Sequence, residues 1–120
     1  MATAIPIFRI FDYNKMLEYY IDWMGFTIDW ENKPANYPIY MQVSLNGIVI
    51  HLSEHSGDCS PGARIHITDF PELKEFHRLL IDKDYKYNKP GLRIHPFEEN
   101  AWWMDAIDPF GNRLTFTGSM

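Results

Sequence analysis

Residues 105–116, with the sequence DAIDPFGNRLTF, decide the fold that the rest of the chain must adopt. Proline, glycine and asparagine within 109–112 are typical of a turn, and the segments on both sides alternate between polar and apolar side chains. We therefore predict two strands, at 101–108 and 112–118, joined by this turn. The pair would close the chain.

Two further predicted strands, with a predicted helix between them, precede this pair. Residues 63–70 and 92–97 have the composition of strands. Between them, Asp69 and Pro71 are typical of a helix start. The predicted helix carries three apolar side chains at helical spacing, Leu73, Phe76 and Leu80.

The first part of the chain has the same order. Residues 3–11 alternate and are rich in β-branched and aromatic residues, which predicts a strand. Asp12 is a candidate N-cap for a helix over 13–24, and Gly25 is placed to end that helix. Apolar side chains recur along this helix at Met16, Tyr20 and Trp23, with Tyr19 and Met24 beside them.

A strand at 26–31 and a hairpin at 39–55 complete the first part, since Asn46-Gly47 is the strongest short-range hairpin signal. The order β-α-β-β-β thus occurs twice. We predict an α+β fold in which two βαβββ repeats, at about 1–56 and 62–120, form a cupped mixed sheet with the helices outside. A chain of 120 residues favours a single domain over 1–120.

Composition excludes several classes of protein. The formal charge is −5 and no stretch gathers Lys and Arg into a patch, so we expect no nucleic-acid partner. No apolar run reaches about 18 residues, so we expect no membrane span. The first residues lack the pattern of a signal peptide. The only cysteine, Cys59, cannot form an intrachain disulfide, which favours a cytoplasmic location.

Strand alternation predicts which side chains share the concave inner face of the sheet. Apolar residues of each strand pack toward the helices, and the residues between them face inward. The inner set is polar and aromatic, which is typical of a ligand cleft. It comprises Arg9, Tyr40, Gln42, His51, Ser53, Arg64, His66, Trp103, Asp105 and Thr115.

The stretch 51–59, HLSEHSGDC, looks like a single catalytic or metal-binding group, but alternation divides it. His51 and Ser53 are predicted to face the cleft while Leu52 faces the core. Residues 54–59 are predicted as the linker between the repeats. Cys59 has no basic sequence neighbour and no paired base, so we do not predict a nucleophile there.

Two segments carry a resemblance to a known superfamily. AIPIFRIFDYNKMLEYYIDWMGF at 4–26 and DAIDPFGNRLTF at 105–116 resemble the opening and closing elements of the vicinal oxygen chelate superfamily, which includes glyoxalases, bleomycin resistance proteins and extradiol dioxygenases. The resemblance implies four metal-ligand positions, which fall on Ile5, His51, Arg64 and Thr115. Only His51 can bind a metal there, so we predict no metal and no cofactor.

Within this superfamily the chain is similar to bleomycin resistance proteins, through AIPIF at 4–8 and HPFEENAWWMDAIDPFGN at 95–112. That resemblance implies a homodimer with clefts at its interface, which take a cationic antibiotic through aromatic rings and acidic groups. The usual Pro-Trp-Gly and Arg-Glu of the family are replaced by Pro96-Phe97-Glu98 and, further on, Trp102-Trp103.

We predict a metal-independent small-molecule-binding protein of the bleomycin-resistance type, which sequesters a cationic antibiotic or related ligand and has no catalytic residues. Phe97 would lie at the cleft edge and Trp103 would offer a stacking surface. The predicted ligand-binding residues are Tyr40, Gln42, His51, Arg64, His66, Phe97, Trp103 and Asp105.

Two other interpretations stay open. The chain could be a metal-dependent glyoxalase-like lyase or an antibiotic-modifying enzyme that uses a rearranged set, His51, His66 and Asp105. It could also be a structural or regulatory module whose cleft is vestigial.

Overall fold

A computed structural model describes residues 1–35 and 37–120 and has the predicted α+β architecture. Two four-stranded mixed sheets, each with one helical region, are formed by two βαβββ repeats, which confirms the predicted fold class. The elements are β1 (Ile7–Arg9), α1 (Tyr13–Met16), a π-helical segment (Leu17–Trp23), β2 (Thr27–Asn32), β3 (Tyr40–Leu45), β4 (Ile48–Ser53), β5 (Arg64–Ile67), α2 (Leu73–Asp82), β6 (Leu92–Ile94), β7 (Ala101–Ile107) and β8 (Arg113–Ser119).

The first compact unit comprises Met1–Ala63 and Pro109–Asn112. Its sheet has the order β1-β4-β3-β2, in which β1 runs parallel to β4 and the other pairs are antiparallel. Asn46 and Gly47 both have positive φ, at 49° and 84°, as a two-residue hairpin turn requires. The predicted hairpin is confirmed. The core face of this sheet is fully buried at Phe8, Met41, Val43, Ile50 and Leu52.

The first helical region begins and ends as predicted but differs in its turns. The side chain of Asp12 accepts a hydrogen bond from the backbone N–H of Lys15 at 3.0 Å, and Gly25 has a φ of 89° after the last turn. Beyond Met16 the expected α-helix is a π-helix. Three large rings of this segment, Tyr19, Tyr20 and Trp23, are buried. These rings pack edge to face or tilted at 4.8 Å (Tyr19–Tyr20), 5.3 Å (Tyr19–Trp23) and 5.7 Å (Tyr20–Phe26) between centroids.

The turn at 109–112 belongs to the first unit although β7 and β8, which it joins, lie in the second. The side chain of Asn112 is fully buried and donates to the carbonyl oxygen of Arg9 at 2.9 Å. Its amide oxygen accepts from the backbone N–H of Ala63 at 3.2 Å. Gly111 has a φ of 89°, a backbone conformation that glycine adopts without the steric penalty that a Cβ atom brings. The stretch that decides the fold therefore holds two distant segments of the first unit.

The second compact unit comprises Arg64–Asp108 and Arg113–Met120. Its sheet has the order β5-β8-β7-β6, with β5 parallel to β8. On one face, Phe116 contacts the rings of Phe70 and Phe76 at 5.3 and 5.7 Å. Leu73 and Leu80 of α2 are buried as the apolar spacing predicts. Helix α2 thus covers this face of the sheet and leaves the opposite face to polar side chains.

The start of α2 is a correction to the sequence prediction. The helix begins at Leu73, after Glu72 rather than at Asp69 and Pro71. Asp69 and Glu72 both have a φ of 54°, and the backbone N–H of Phe70 donates to Thr117 O at 3.0 Å. The segment is therefore a tight turn held against β8, and the helix can begin only beyond it.

Candidate functional site

His51 lies at the centre of a hydrogen-bonded group on the first sheet. It is on β4, paired with Gln42 of β3. Its Nδ1 atom lies 2.7 Å from the hydroxyl of Tyr40, and its Nε2 atom lies 3.0 Å from Oε1 of Gln42. Both ring nitrogens are therefore engaged by side chains of the same sheet.

Asp29 fixes the direction of these hydrogen bonds. It accepts one from Nε2 of Gln42 at 3.0 Å and another from the hydroxyl of Ser44 at 2.9 Å. Because a carboxylate only accepts, the Gln42 amide turns its oxygen toward His51, whose Nε2 then donates. Nδ1 of His51 is left to accept from the hydroxyl of Tyr40. One continuous hydrogen-bonded chain runs from Tyr40 to Asp29.

The hydroxyl of Tyr40 is held in its protonated form. Burial raises the pKa of Tyr40, and the nearby Asp58 carboxylate and Cys59 sulfur raise it further. The phenol therefore remains a hydrogen-bond donor across the physiological pH range, as the chain through His51 requires.

Trp30 adds an exposed aromatic surface to this group. Its ring lies nearly parallel to that of Tyr40, at 6.0 Å between centroids and 14° between planes. It also meets the His51 ring edge to face at 5.3 Å. The indole is 44% exposed. We call this group the His51 cluster, and its members are Asp29, Trp30, Tyr40, Gln42, Ser44 and His51.

Sequence reasoning did not place Asp29 and Trp30 in this group. Strict alternation would put Trp30 on the face opposite Asp29, together with Ile28. The pairing of β2 with β3 shifts register between Ile28 and Trp30, which marks a β-bulge at Asp29. A bulge lets two consecutive side chains reach the same face. The contacts of Asp29 with Gln42 and of Trp30 with Tyr40 show that both do so here.

The linker after β4 is held by hydrogen bonds to the strand end. Ser53, predicted to face a cleft, is fully buried, and its hydroxyl donates to Asp58 at 2.7 Å. The backbone N–H of His55 donates to the same hydroxyl at 3.0 Å, and Glu54 accepts from the backbone N–H of Ile39 at 3.0 Å. Ser53 is thus occupied by its own linker rather than open to a ligand.

Cys59 lies in this linker and is half-buried. Burial raises the pKa of its thiol, and Asp58 raises it further, while the Arg9 guanidinium opposes this without cancelling it. Because the thiolate is the nucleophilic form, the upward shift makes this thiol a poorer nucleophile at neutral pH.

Asp105 is the centre of a second group, on the face of the second sheet opposite α2. It accepts from the indole N–H of Trp103 at 3.0 Å and from the hydroxyl of Thr115 at 2.5 Å. Nε of Arg64 donates to the same Thr115 hydroxyl at 3.1 Å. Nε2 of His66 lies 3.4 Å from the hydroxyl of Thr117. We call this the Asp105 cluster, and its members are Arg64, His66, Trp103, Asp105, Thr115 and Thr117.

The ring of Trp103 is enclosed by other side chains. Arg93 lies over it at 5.1 Å from the centroid, and the rings of His66 and His95 meet it edge to face at 5.4 and 5.1 Å. Only 9% of Trp103 is exposed, so this indole offers much less free surface than Trp30.

Opposing effects set the acidity of Asp105. Burial acts to raise its pKa, but the hydrogen bonds from Thr115 and Trp103 and the charges of Arg64 and Arg113 together hold it below the usual value. Asp105 is therefore ionised at neutral pH.

We expect Asp105→Asn to lower the free energy of unfolding at pH 7 by about 1–2 kcal/mol, because an amide nitrogen would face a donor. The folded pKa of Asp105 lies below its unfolded value of about 3.9, so the stabilisation is present above that value. It is lost as the pH falls through the folded pKa. Urea unfolding at pH 7 and in acid measures the free energy of unfolding of wild type and Asp105→Asn. The difference between the two proteins should be smaller in acid than at pH 7.

The matched control for this change is Asp82→Asn, which alters an exposed carboxylate on α2 of the same unit. We expect almost no loss at either pH. A difference between wild type and Asp105→Asn that stays constant or widens in acid would contradict this account of the carboxylate.

The structure places seven of the eight predicted ligand-binding residues in these two groups. Tyr40, Gln42 and His51 are in the His51 cluster, and Arg64, His66, Trp103 and Asp105 are in the Asp105 cluster. Phe97 lies in the loop after β6, 81% exposed, with its ring edge to face on His95 at 4.7 Å. That all eight line one ligand cleft stays a prediction.

The side chains present do not fit the divalent metal that the superfamily resemblance implies. Ile5 has no donor atom, Arg64 is a fixed cation, and the Thr115 hydroxyl donates to Asp105. His51 has both nitrogens hydrogen-bonded. Across residues 1–35 and 37–120, no three His, Cys, Asp or Glu side chains are grouped so that they could hold a metal ion. The alternative set of His51, His66 and Asp105 draws on both units and stays a prediction.

The whole chain matches one protein-family profile. The family profile described as "Glyoxalase superfamily protein" matches residues 1–120. The chain therefore belongs to the glyoxalase superfamily, in agreement with the predicted vicinal oxygen chelate membership.

Solved structures share this fold at low sequence identity. A bleomycin-binding protein in complex with bleomycin has 17% identity and a TM-score of 0.67, with all of both chains covered. The bleomycin resistance determinant encoded on transposon Tn5 has 16% identity and a TM-score of 0.70, covering 99% of this chain and 98% of that one. TnmS3, an antibiotic-binding protein from Streptomyces sp. CB03234, has 15% identity and a TM-score of 0.67, covering 99% and 98%. These likenesses establish the fold.

Among curated protein sequences, no significant match was found. In the part of the chain that the structure describes, no helix combines the length and apolar character that crossing a bilayer would need.

Proposed function

We propose that this chain is a small-molecule-binding protein of the bleomycin-resistance type, which sequesters a cationic antibiotic or related ligand without a metal. The observation that carries the proposal is the pair of stacked rings of Trp30 and Tyr40, partly open and next to the Asp29 carboxylate. The single cysteine supports a cytoplasmic location.

The His51 cluster suits a flat, positively charged ligand. An exposed indole can stack on a heteroaromatic ring, and a carboxylate at its side attracts a cation. Asp29 accepts two hydrogen bonds in this cluster, and its two oxygens have room for about four. The hydrogen-bonded chain through His51 holds Tyr40 in place beneath Trp30, so the surface is ordered before a ligand arrives.

The names of proteins that share this fold also support a small-molecule-binding function. Two of the structures that share this fold are described as a bleomycin-binding protein and an antibiotic-binding protein. Sequestration requires only affinity, so a set of side chains unable to hold a metal is compatible with it. We propose that the ligand-binding residues predicted in both units contribute to binding, with the cationic part of the ligand on the His51 cluster.

We also propose that the chain forms a homodimer, with the binding cleft at its interface. Large apolar side chains that are exposed in the protomer support this, among them Ile94 at 67% and Phe97 at 81%. Sedimentation velocity at micromolar protein tests the proposal. A single species of 14.2 kDa at every concentration would contradict it.

We expect metal-free bleomycin to raise the melting temperature of chelator-treated protein by about 5 °C at saturating ligand, because a ligand that binds only the folded state stabilises it. Differential scanning fluorimetry measures this, with a neutral glycopeptide as the comparison compound. If neither bleomycin nor any compound of a cationic heteroaromatic panel changes the melting temperature, the cleft is vestigial and the proposal fails.

A further inference from the structure

Three of the five arginines of the chain lie on one face of the second sheet. Arg64 of β5 is paired directly with Arg113 of β8. Arg93 of β6 is paired with Trp103 of β7 and lies over its ring. All three are exposed. We call Arg64, Arg93 and Arg113 the arginine face.

Most of the donors on this face are unused within the protein. A guanidinium offers five N–H donors. Arg64 uses one of them, on Thr115, and Arg93 only stacks on Trp103. Within residues 1–35 and 37–120, none of the three arginines forms an ion pair, and the side chain of Arg113 forms no hydrogen bond.

The charge on this face is not balanced from within the sheet. By pairing register, Asp105 carries the only carboxylate on this face among the residues of β5 to β8. Its two oxygens already accept from Trp103 and Thr115, and it attracts Arg64 and Arg113 only without a direct ion pair. Three cations therefore face one anion on these strands. Like charges paired directly across two strands are destabilising, so Arg64 and Arg113 side by side favour an external counter-ion. This positive face stands out in a chain with a formal charge of −5.

We propose that the arginine face is a binding site for the anionic group of a small molecule, a phosphate, sulfate or carboxylate. Arg64 and Arg113 present adjacent planar forks, which match the oxygens of such groups in bidentate geometry. The hydrogen bond from Arg64 to Thr115 holds one fork in position, and Arg93 contributes further donors from the neighbouring strand. The arginine face shares Arg64 with the predicted ligand-binding residues, but the inference does not rest on the proposed function, because it requires only an anion and is tested without any antibiotic.

A nuclear magnetic resonance titration of isotope-labelled full chain with inorganic phosphate tests the proposal. The indole N–H of Trp103 and the Nε–H of Arg64 report on the site, and ionic strength is kept constant with sodium chloride. We expect both signals to shift and to saturate at millimolar phosphate. Parallel titrations with sulfate and acetate show whether tetrahedral anions or carboxylates are preferred.

Arg113→Gln is expected to raise the dissociation constant for phosphate about tenfold, because it removes one charged fork. The matched control is Arg78→Gln on α2, an exposed arginine of the same unit away from this face, which should leave the constant within about twofold. Two results would overturn the proposal. The first is that chloride alone shifts both signals as phosphate does. The second is that Arg78→Gln weakens phosphate binding as much as Arg113→Gln does.

Discussion

Gly118→Ala is expected to lower the free energy of unfolding by about 3 kcal/mol, because there is no space for a methyl group at this position. A Cβ atom at Gly118 would lie 2.4 Å from the carbonyl oxygen of Phe70 and 3.4 Å from Cβ of Leu73. The first of these neighbours is backbone, and it is tied to β8 by the hydrogen bond from Phe70 N–H to Thr117 O. It cannot rotate away as a side chain would. Urea unfolding followed by circular dichroism measures the loss.

Gly91→Ala is the matched control in the same unit. Gly91 is exposed, has no atom within 4 Å of the position its Cβ would take, and does not have a positive φ. We expect its free energy of unfolding to stay within about 0.5 kcal/mol of wild type. Equal stabilities for the two variants would mean that the turn before α2 is not seated on β8 as described.

Trp30→Ala is expected to weaken ligand binding about 30-fold, the effect of losing about 2 kcal/mol from a central aromatic contact. Because the indole is 44% exposed, the variant should lose little of its folding stability. Calorimetric titration with metal-free bleomycin measures affinity, and thermal unfolding of the free protein measures stability.

Tyr87→Ala provides the comparison for this effect, since Tyr87 is an aromatic residue that is 69% exposed and lies outside both clusters. It should bind the ligand as wild type does. Unchanged affinity in Trp30→Ala, or an equal loss of affinity in both variants, would show that the stacked rings of Trp30 and Tyr40 do not contribute to ligand binding.

The elements that the sequence predicted best are those with a local physical cause. Asn46-Gly47 adopts positive φ at both residues, Asp12 caps its helix through its own side chain, and Gly111 turns the chain at 109–112. Alternation also identified the polar faces correctly, since Gln42 and His51 pair across β3 and β4. In each of these cases the deciding interaction joins residues close in sequence or follows from the period of the strand.

The parts that could not be predicted depend on contacts between distant segments. The bulge at Asp29 follows from the pairing of β2 with β3, and without it Trp30 would be assigned to the other face. The late start of α2 follows from the hydrogen bond of Phe70 to Thr117, 47 residues away, and the burial of Ser53 follows from the fold of its linker. The π turns after Met16 coincide with the packed rings of Tyr19, Tyr20 and Trp23, and no local sequence motif predicts them.

The central claim is that this superfamily member binds its ligand without a metal, and one calorimetric experiment tests it most directly. Chelator-treated protein is titrated with metal-free bleomycin, and the titration is repeated after a divalent metal has been restored to the protein. We predict saturable heat in the first titration and no gain in affinity in the second. Heat that develops only after the metal is restored would contradict metal-independent binding, and no heat in either titration at high micromolar protein and drug would remove bleomycin as a ligand.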